Sequence, residues 1–553
     1  MSLIGLIVFA CVAFAAPVAM AGTPVGPQVT LPSSLQDRPP GFATSAADII
    51  AISKRRPEIR KIMRENTNVQ FTAYVWQGWR WEVDVQTPDA ALAEVEASPA
   101  GKVMKVWTGL QAQGFLGRGA LDKVFRKPWV WGAFAVLFLL PFVDVRRLRR
   151  LLHLDLLVLV SFMVSWEFMA SARPAAAIWL YYPPLLYVLG RLLYAGLRPR
   201  KRRGALVPYL PTAALLVGVI ALFGARVALN VTQPGAVMDI GYASVVGADR
   251  IGHKQELYVD NDQHGDTYGP VNYLAYVPFE LAFPYKGAWD SLWAAHAATL
   301  AFDLFTLLGL FLLGRQMRAG PEGRRLGLAF AWAWAALPIT LYGVMDNTND
   351  GLVALLVVWM LVLFTRPAAR GALLGVAAAA KFFPGALLLL VARGRGDEGR
   401  KAWLTTAAAC AGIFLFAFAV YLPPGGLREV WNCTIGFQLS RTPDLSLWAV
   451  VPGIEWTQTL LKGLGIVLAV GIGVLPGRRT LGQVAALAGA ITIAFQLPAD
   501  HWFYFYVMWF APLAFVALFD EHPASAAAEA VGDADGDAEV TALPVARPLA
   551  LAG

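Results

Sequence analysis

Hydrophobic and polar positions divide the chain near residue 127. From Trp129 onward, long apolar runs alternate with short basic clusters: Arg146-Arg147-Leu148-Arg149-Arg150, Arg198 to Arg203, Arg315 to Arg325, Arg366 to Arg370, Arg393 to Lys401, and Arg478-Arg479. The runs lie near 129–145, 152–172, 174–197, 207–230, 290–314, 325–342, 350–365, 402–422, 457–476, 480–497 and 503–519, and they predict eleven membrane-crossing helices. Placing every basic cluster on the cytoplasmic side satisfies the positive-inside rule for these spans. Residues 371–392 break the parity, being apolar with a basic cluster at each end. A re-entrant hairpin broken at Lys381-Phe382-Phe383-Pro384 keeps both clusters on one side, and such backbone is tolerated when buried in protein. The run 270–286 cannot cross without inverting everything downstream. Its prolines and Glu280 suit a helix lying at the outer interface.

The first part of the chain differs in kind. Residues 1–21 are apolar and end in Ala19-Met20-Ala21, a small-x-small pattern that reads as a signal peptide cleaved before Gly22 or, lacking a basic start, as an anchor. Residues 22–127 are polar. Ser45 to Glu65 reads as an amphipathic helix whose basic face carries Lys54, Arg55, Arg56, Arg60, Lys61 and Arg64. Val69, Phe71, Ala73 and Val75, then Trp79, Trp81, Val83 and Val85, alternate on either side of Gln77-Gly78, a hairpin signal. Val103 to Trp107 supplies a third strand. This small α+β module resembles PepSY-like domains on the outer face of bacterial membrane proteins.

Composition narrows the class. The 553 residues are 57% hydrophobic and 15% charged, with a mean hydropathy of +0.53. Soluble proteins carry about 25% charged residues, so a soluble enzyme, a disordered protein and a disulfide scaffold are excluded. The three cysteines (Cys11, Cys410 and Cys433) form no framework. The net charge of +8 hides a split. The tail from Asp520 to Gly553 holds seven acids and one arginine, a charge of −6, so the remainder is +14. In a membrane protein that surplus marks cytoplasmic loops rather than nucleic-acid binding. No Walker loop or Rossmann fingerprint is present.

Ionisable groups at the membrane edge are costly and so are functional candidates. The outer segment 231–289 gathers Asp239, Asp249, His253, Glu256, Asp260, Asp262, His264 and Asp266 among Tyr242, Tyr258, Tyr268 and Tyr273. Asp239 has apolar neighbours, Val237-Met238 and Ile240, which hold it at the membrane face. A carboxylate there is either a general base for a hydroxyl nucleophile or a helix N-cap. Asp260-Asn261-Asp262 has the spacing of a divalent-cation site for Mg or Mn, against the bland reading of a solvated acidic loop. Asp346, Asn347, Asn349 and Asp350 form a second polar cluster, which either lines the same cavity or starts the next helix.

The order of Asp239, Tyr242 to Gly247, Glu256-Leu257-Tyr258, Thr267-Tyr268-Gly269-Pro270 and Gly375 to Pro384 resembles the GT-C polytopic glycosyltransferases. The nearest likeness is to the bacterial DUF2029 or glycosyltransferase family 87 group, which uses polyprenyl-phosphate sugars. The resemblance covers 207–519 as a GT-C-like catalytic membrane domain. It leaves 128–206 as a three-helix membrane extension and 520–553 as an acidic cytoplasmic tail. It implies an inverting transfer at the outer face of the bacterial cytoplasmic membrane. The donor would be a polyprenyl-phosphate hexose such as mannose, or a pentose, and the acceptor a glycan, glycolipid or protein. Asp239 would be the general base.

Several residues are candidates for holding the substrates. Arg441, in Ser440-Arg441-Thr442-Pro443-Asp444, can grip a phosphate or simply snorkel. Lys381 sits at the break of the hairpin among apolar residues and needs a phosphate or carboxylate near it, with Asp303 a structural partner in reach of the span 290–314. Tyr242, Tyr258 and Tyr268 would line the donor site, and His501 would join them from the start of the last span, beside an aromatic belt. Asp155 and Glu167 are expected to be paired within the extension. The competing functional class is a transporter or lipid flippase, or a non-catalytic envelope scaffold. Against a transporter, the charges gather in one loop and no internal repeat is found.

Overall fold

The structure, a computed structural model, describes residues 29–76, 80–87, 90–108, 124–125, 127–170, 174–198, 205–206, 210–232, 236–258, 267–287, 291–440, 445–451 and 453–522. The chain is mostly helical, with one small antiparallel sheet near its start. The leader and most of the acidic tail lie outside the described residues.

The sheet runs in sequence order: β1 (Val29–Thr30), β2 (Gln70–Trp76), β3 (Arg80–Thr87), β4 (Ala90–Ala97) and β5 (Val103–Thr108). The alternation signal is met where Ala73 pairs with Val83 and Val75 with Trp81; Trp79 and the Gln77-Gly78 turn lie outside the described residues. Two details differ from the sequence reading. The helix over 45–65 is two helices, Ala46–Lys54 and Pro57–Glu65. Pro57 has no N–H to continue the first and instead opens the second. Ser45 starts the first with a capping box, its backbone N–H donating to Asp48 at 2.9 Å.

The second difference is β4, whose alanines and glutamates favour helix on intrinsic grounds. It is a strand because β3 and β5 pair on either side of it and its Ala93, Val95 and Ala97 fill the module's core against the strand-and-helix interior. Strand alternation then turns Glu94 and Glu96 to the opposite face, where Glu94 pairs with Asp84 and Glu96 with Glu82. Arg80 bonds Glu96 at 2.8 Å. Burial, reinforced by the neighbouring acids Glu82, Asp84 and Glu96, pushes the Glu94 carboxyl up from 4.5 to about 9. The folded module therefore keeps a proton that the unfolded chain loses above the ordinary carboxyl value of 4.5. Stability falls as pH rises from 4.5 towards about 9. Glu94→Gln should flatten that slope and slow hydrogen exchange of the β3–β4 amides at pH 8. An exchange profile with the same pH dependence as the parent would contradict the assignment.

Among the described residues six helices are long and apolar enough to cross a membrane: Leu151–Ala170, Ala175–Leu197, Thr212–Val231, Trp293–Met317, Gly399–Val420 and Glu455–Val474. A seventh is counted if Gly320–Ala336 and Pro338–Met345, bent by 60°, form one span. This corrects the expected eleven. Pro128–Leu139, Asp350–Val362, Leu481–Gln496 and Tyr504–Phe519 are apolar but shorter. A 13-residue helix such as Asp350–Val362 is about 20 Å long, short of the roughly 30 Å hydrocarbon core. Val507–Phe519 is buried throughout, and Asp350–Val362 and Leu481–Gln496 nearly so. These helices are apolar because they lie inside the protein, a distinction hydropathy alone does not draw.

The bend at Pro338 exposes carbonyls that the helix can no longer satisfy. Arg226, fully buried in Thr212–Val231, donates to Trp334 O at 2.7 Å and Ala335 O at 2.8 Å, and ion-pairs with Asp303 at 2.7 Å. The 371–392 segment doubles back. Pro367–Ala380 ends at Lys381, and the 3-10 turn Phe383–Leu387 leads into Leu388–Arg393. Arg370 at one end then reaches Ala392 O at the other at 3.3 Å and Glu398 at 2.5 Å.

The three-helix extension shares one core with the rest of the helical part. Phe142 meets Phe519 at 4.8 Å and Tyr181 stacks on Trp502 at 4.1 Å. Asp155 is paired, with Arg191 at 3.1 Å and Tyr187 at 2.8 Å. The run 270–286 is two short helices, Pro270–Leu274 and Val277–Ala282. Tyr273, Tyr276 and Glu280 are buried there while Leu274, Leu281 and Phe283 stay exposed, so one face of this run packs on the protein and the other leaves apolar side chains open.

Candidate functional site

The Tyr268-Gly269-Pro270 turn meets the middle of the doubled-back segment. Gly269 donates its N–H to Ala380 O at 3.2 Å, and a Cβ on Gly269 would lie 2.0 Å from Ala379 O. No side chain fits between those two backbones. The Tyr268-Gly269-Pro270 turn is thereby pressed against the end of Pro367–Ala380. Tyr258, in left-handed backbone with φ 61°, donates its hydroxyl to Tyr268 O at 3.0 Å. The Tyr268 N–H donates to the Tyr273 hydroxyl at 3.2 Å.

Lys381 ends its helix inside this junction and is almost wholly buried. Its ammonium meets Asp350 Oδ1 at 2.5 Å and sits over the rings of Tyr268 and Trp509 at 5.3 and 5.2 Å. Trp509 Nε1 donates to the same carboxylate oxygen at 2.8 Å. A buried charge needs a partner, and loss of one partner is far costlier than loss of both. Two aromatic faces add cation–π attraction.

Asp239 is the first residue of the helix Asp239–Gly252. It is not the N-cap, which is Met238; its Oδ1 accepts from Ile240 N at 2.8 Å, and a negative charge in the first turn suits the helix dipole. It is half-buried. Its position is set by the 346–350 segment. Met238 N donates to Asp346 O at 2.9 Å, and a Cβ on Gly241 would lie 2.2 Å from Asn347 O.

Asp346, Asn347, Thr348, Asn349 and Asp350 are all fully buried. Asn347 Oδ1 accepts from Asn230 Nδ2 at 2.8 Å, Asn347 Nδ2 donates to Ala236 O at 2.7 Å, and Asn230 Oδ1 bonds His296 Nδ1 at 2.8 Å. The segment starts the helix Asp350–Val362, one of the two readings the sequence left open, and it faces the Asp239 helix.

Of the sequence-predicted residues, Asp239, Tyr258, Tyr268 and Lys381 come together. Tyr258 touches the junction through the Tyr268 backbone. Tyr242 is buried and its hydroxyl pairs with that of Tyr285 at 2.9 Å. His501 bridges to Leu445 and stacks on Phe503 at 6.2 Å, and no contact joins it to Lys381. Asp303 is not the partner of Lys381: Arg226 holds it, because the bent helix needs that guanidinium in place. Arg441, Asp260 and Asp262 lie outside the described residues. Among the described residues no group of three or more His, Cys, Asp or Glu is gathered to hold a metal ion. Sequence reasoning missed the role of Asp350 as the lysine's partner, although a polar run between two apolar segments was its signal. Trp509 carried no signal, being one aromatic residue in an apolar span.

In comparisons with known proteins, no family model matches the chain and no curated protein matches it.

Lys381→Met leaves Asp350 buried without its cation and should destabilise the protein by about 3–5 kcal/mol. The double variant K381M/D350N should recover most of that loss, as read by thermal unfolding in detergent. Equal destabilisation by the single and double variants would contradict a paired buried charge.

Proposed function

We propose that the chain is an integral-membrane inverting glycosyltransferase that moves a sugar from a polyprenyl phosphate to an acceptor hydroxyl, with Asp239 as general base. The observation that carries this reading is that the buried Lys381–Asp350 pair stands against the Tyr268 ring at the end of the same 346–350 segment on which the Asp239 helix is seated through Met238 N and Gly241. An acceptor hydroxyl attacks the anomeric carbon and Asp239 takes its proton. The bond from that carbon to the phosphate oxygen breaks, and its electron pair leaves with the lipid phosphate. Such a leaving group needs no proton, in contrast to the alcohol expelled in glycoside hydrolysis; it needs positive charge held ready.

Lys381 is suited to that task. An ammonium has three N–H donors, and Asp350 occupies one direction at 2.5 Å, leaving others for phosphate oxygens. Asp350 and the Trp509 indole fix where the charge stands before the substrate arrives, which is the preorganisation such electrostatic stabilisation requires. Tyr268, with its ring beneath the ammonium, is the residue best placed to meet the donor beside Lys381. The acceptor class and the sugar follow from the resemblance of the motifs alone, as does the placement of this site on the outer side of the bacterial cytoplasmic membrane.

Asp239→Asn keeps the shape and removes the base. In membranes supplied with a polyprenyl-phosphate sugar, transfer should fall by about 10²- to 10⁴-fold, the usual worth of a positioned base. Undiminished transfer by the variant would sink the assignment.

A further inference from the structure

A second feature lies beside the lysine pair and shares only Asp350 with the chemistry above. Ser244, in the Asp239–Gly252 helix, is fully buried and gathers two amides from different elements. Asn272 Nδ2 donates to Ser244 Oγ at 2.9 Å, and Asn349 Nδ2 donates to it at 3.2 Å. The serine spends its own proton on Ile240 O at 2.7 Å. A hydroxyl has one proton and two lone pairs, so both amides must present their NH2 groups to it. Their carbonyl oxygens are consequently turned away from the serine, and this orientation is forced by the proton count rather than by choice.

Neither oxygen finds a donor. Asn272 Oδ1 and Asn349 Oδ1 are buried without a hydrogen-bond partner, and so is Asp350 Oδ2, the carboxylate oxygen that Lys381 leaves over. Asn272, Asn349 and Asp350 are each 0% exposed. The buried Tyr276 hydroxyl is also without a partner; it has one proton and so cannot serve all three oxygens. Buried acceptors left bare are rare and cost about 1–3 kcal/mol each. Two of these oxygens belong to amides that meet on one serine and the third to the residue after Asn349; two neutral amides and one carboxylate are the oxygen chemistry that a hard cation takes. The single carboxylate, already shared with Lys381, favours a monovalent ion over a dication.

We propose that Asn272, Asn349 and Asp350 bind a sodium-sized monovalent cation, which ties the Asp239 helix, the Pro270–Leu274 helix and the 346–350 segment together. The ion occupies the acceptors that the protein's own donors leave empty. It also supplies the charge that a serine-centred knot of amides lacks. The proposal stands apart from the glycosyltransferase reading, since its test reads ion binding rather than transfer.

The experiment uses the full chain in detergent. Equilibrium binding of 22Na+ is measured, with unlabelled sodium chloride and choline chloride as competitors at equal ionic strength, alongside thermal unfolding in the two salts. The wild-type protein should bind 22Na+ saturably, lose it to sodium but not to choline, and unfold at a higher temperature in sodium. Asn272→Ala and Asn349→Ala should each weaken binding roughly tenfold or more, by analogy with the loss of groups that merely support metal ligands. Where an alanine variant is too unstable to purify, Asn272→Ser and Asn349→Ser take its place, with the same expected weakening. An absence of saturable 22Na+ binding in the wild type, with matching unfolding in both salts, would mean that water alone fills the site and would overturn the proposal. Wild-type affinity in the folded variants would overturn it equally.

Discussion

An ammonium group cannot be left alone in an apolar interior. That constraint organises the helical part of this protein. Lys381 stands where the helix Pro367–Ala380 stops and the chain turns back, and its partner comes from the first residue of another helix, Asp350. Around this pair the backbone is packed so closely that Gly269 admits no side chain. The turn carrying Tyr268 is fixed by the same contact. The Asp239 helix is in turn seated on the 346–350 segment through Met238 N and Gly241. One buried ion pair therefore sets the relative positions of three elements that are far apart in sequence.

The same logic recurs at the other breaks. Arg226 satisfies the carbonyls released by the bend before Pro338 and is itself neutralised by Asp303. Arg370 closes the ends of the doubled-back segment against Ala392 O and Glu398. Irregular backbone among apolar helices is tolerated only where such groups complete its hydrogen bonds. Each interruption here is matched to a buried guanidinium or ammonium. The scarce charge of the chain is spent on those interruptions as well as on topology.

Much of this was legible in the sequence, and the rest failed for identifiable reasons. The doubling back at Lys381 followed from basic clusters at both ends of 371–392, because charge parity is a global rule that single residues obey. The β2–β3 hairpin followed from strict alternation. Strand β4 was hidden because Ala and Glu favour helix, and only its neighbours on both sides override that preference. The span count was too high because a helix buried among helices is as apolar as one facing lipid. Asp239, Tyr268 and Lys381 could be singled out as ionisable or aromatic groups in a costly place. Their mutual approach could not, since it depends on Gly269 and Gly241 meeting carbonyls from distant segments. The partner of Lys381 was mistaken for Asp303 because sequence distance does not reveal which carboxylate a bent helix has already claimed.

The central claim is that Lys381, held by Asp350, receives a lipid phosphate beside Asp239. Binding of a polyprenyl-phosphate sugar to purified protein, followed by the 31P resonance of the lipid, tests it most directly because it separates binding from transfer. D239N should bind the lipid as the parent does, with the same shifted resonance. The double variant K381M/D350N, which removes both buried charges together, should leave the resonance at its free position. An unchanged shift in the folded double variant would contradict the account.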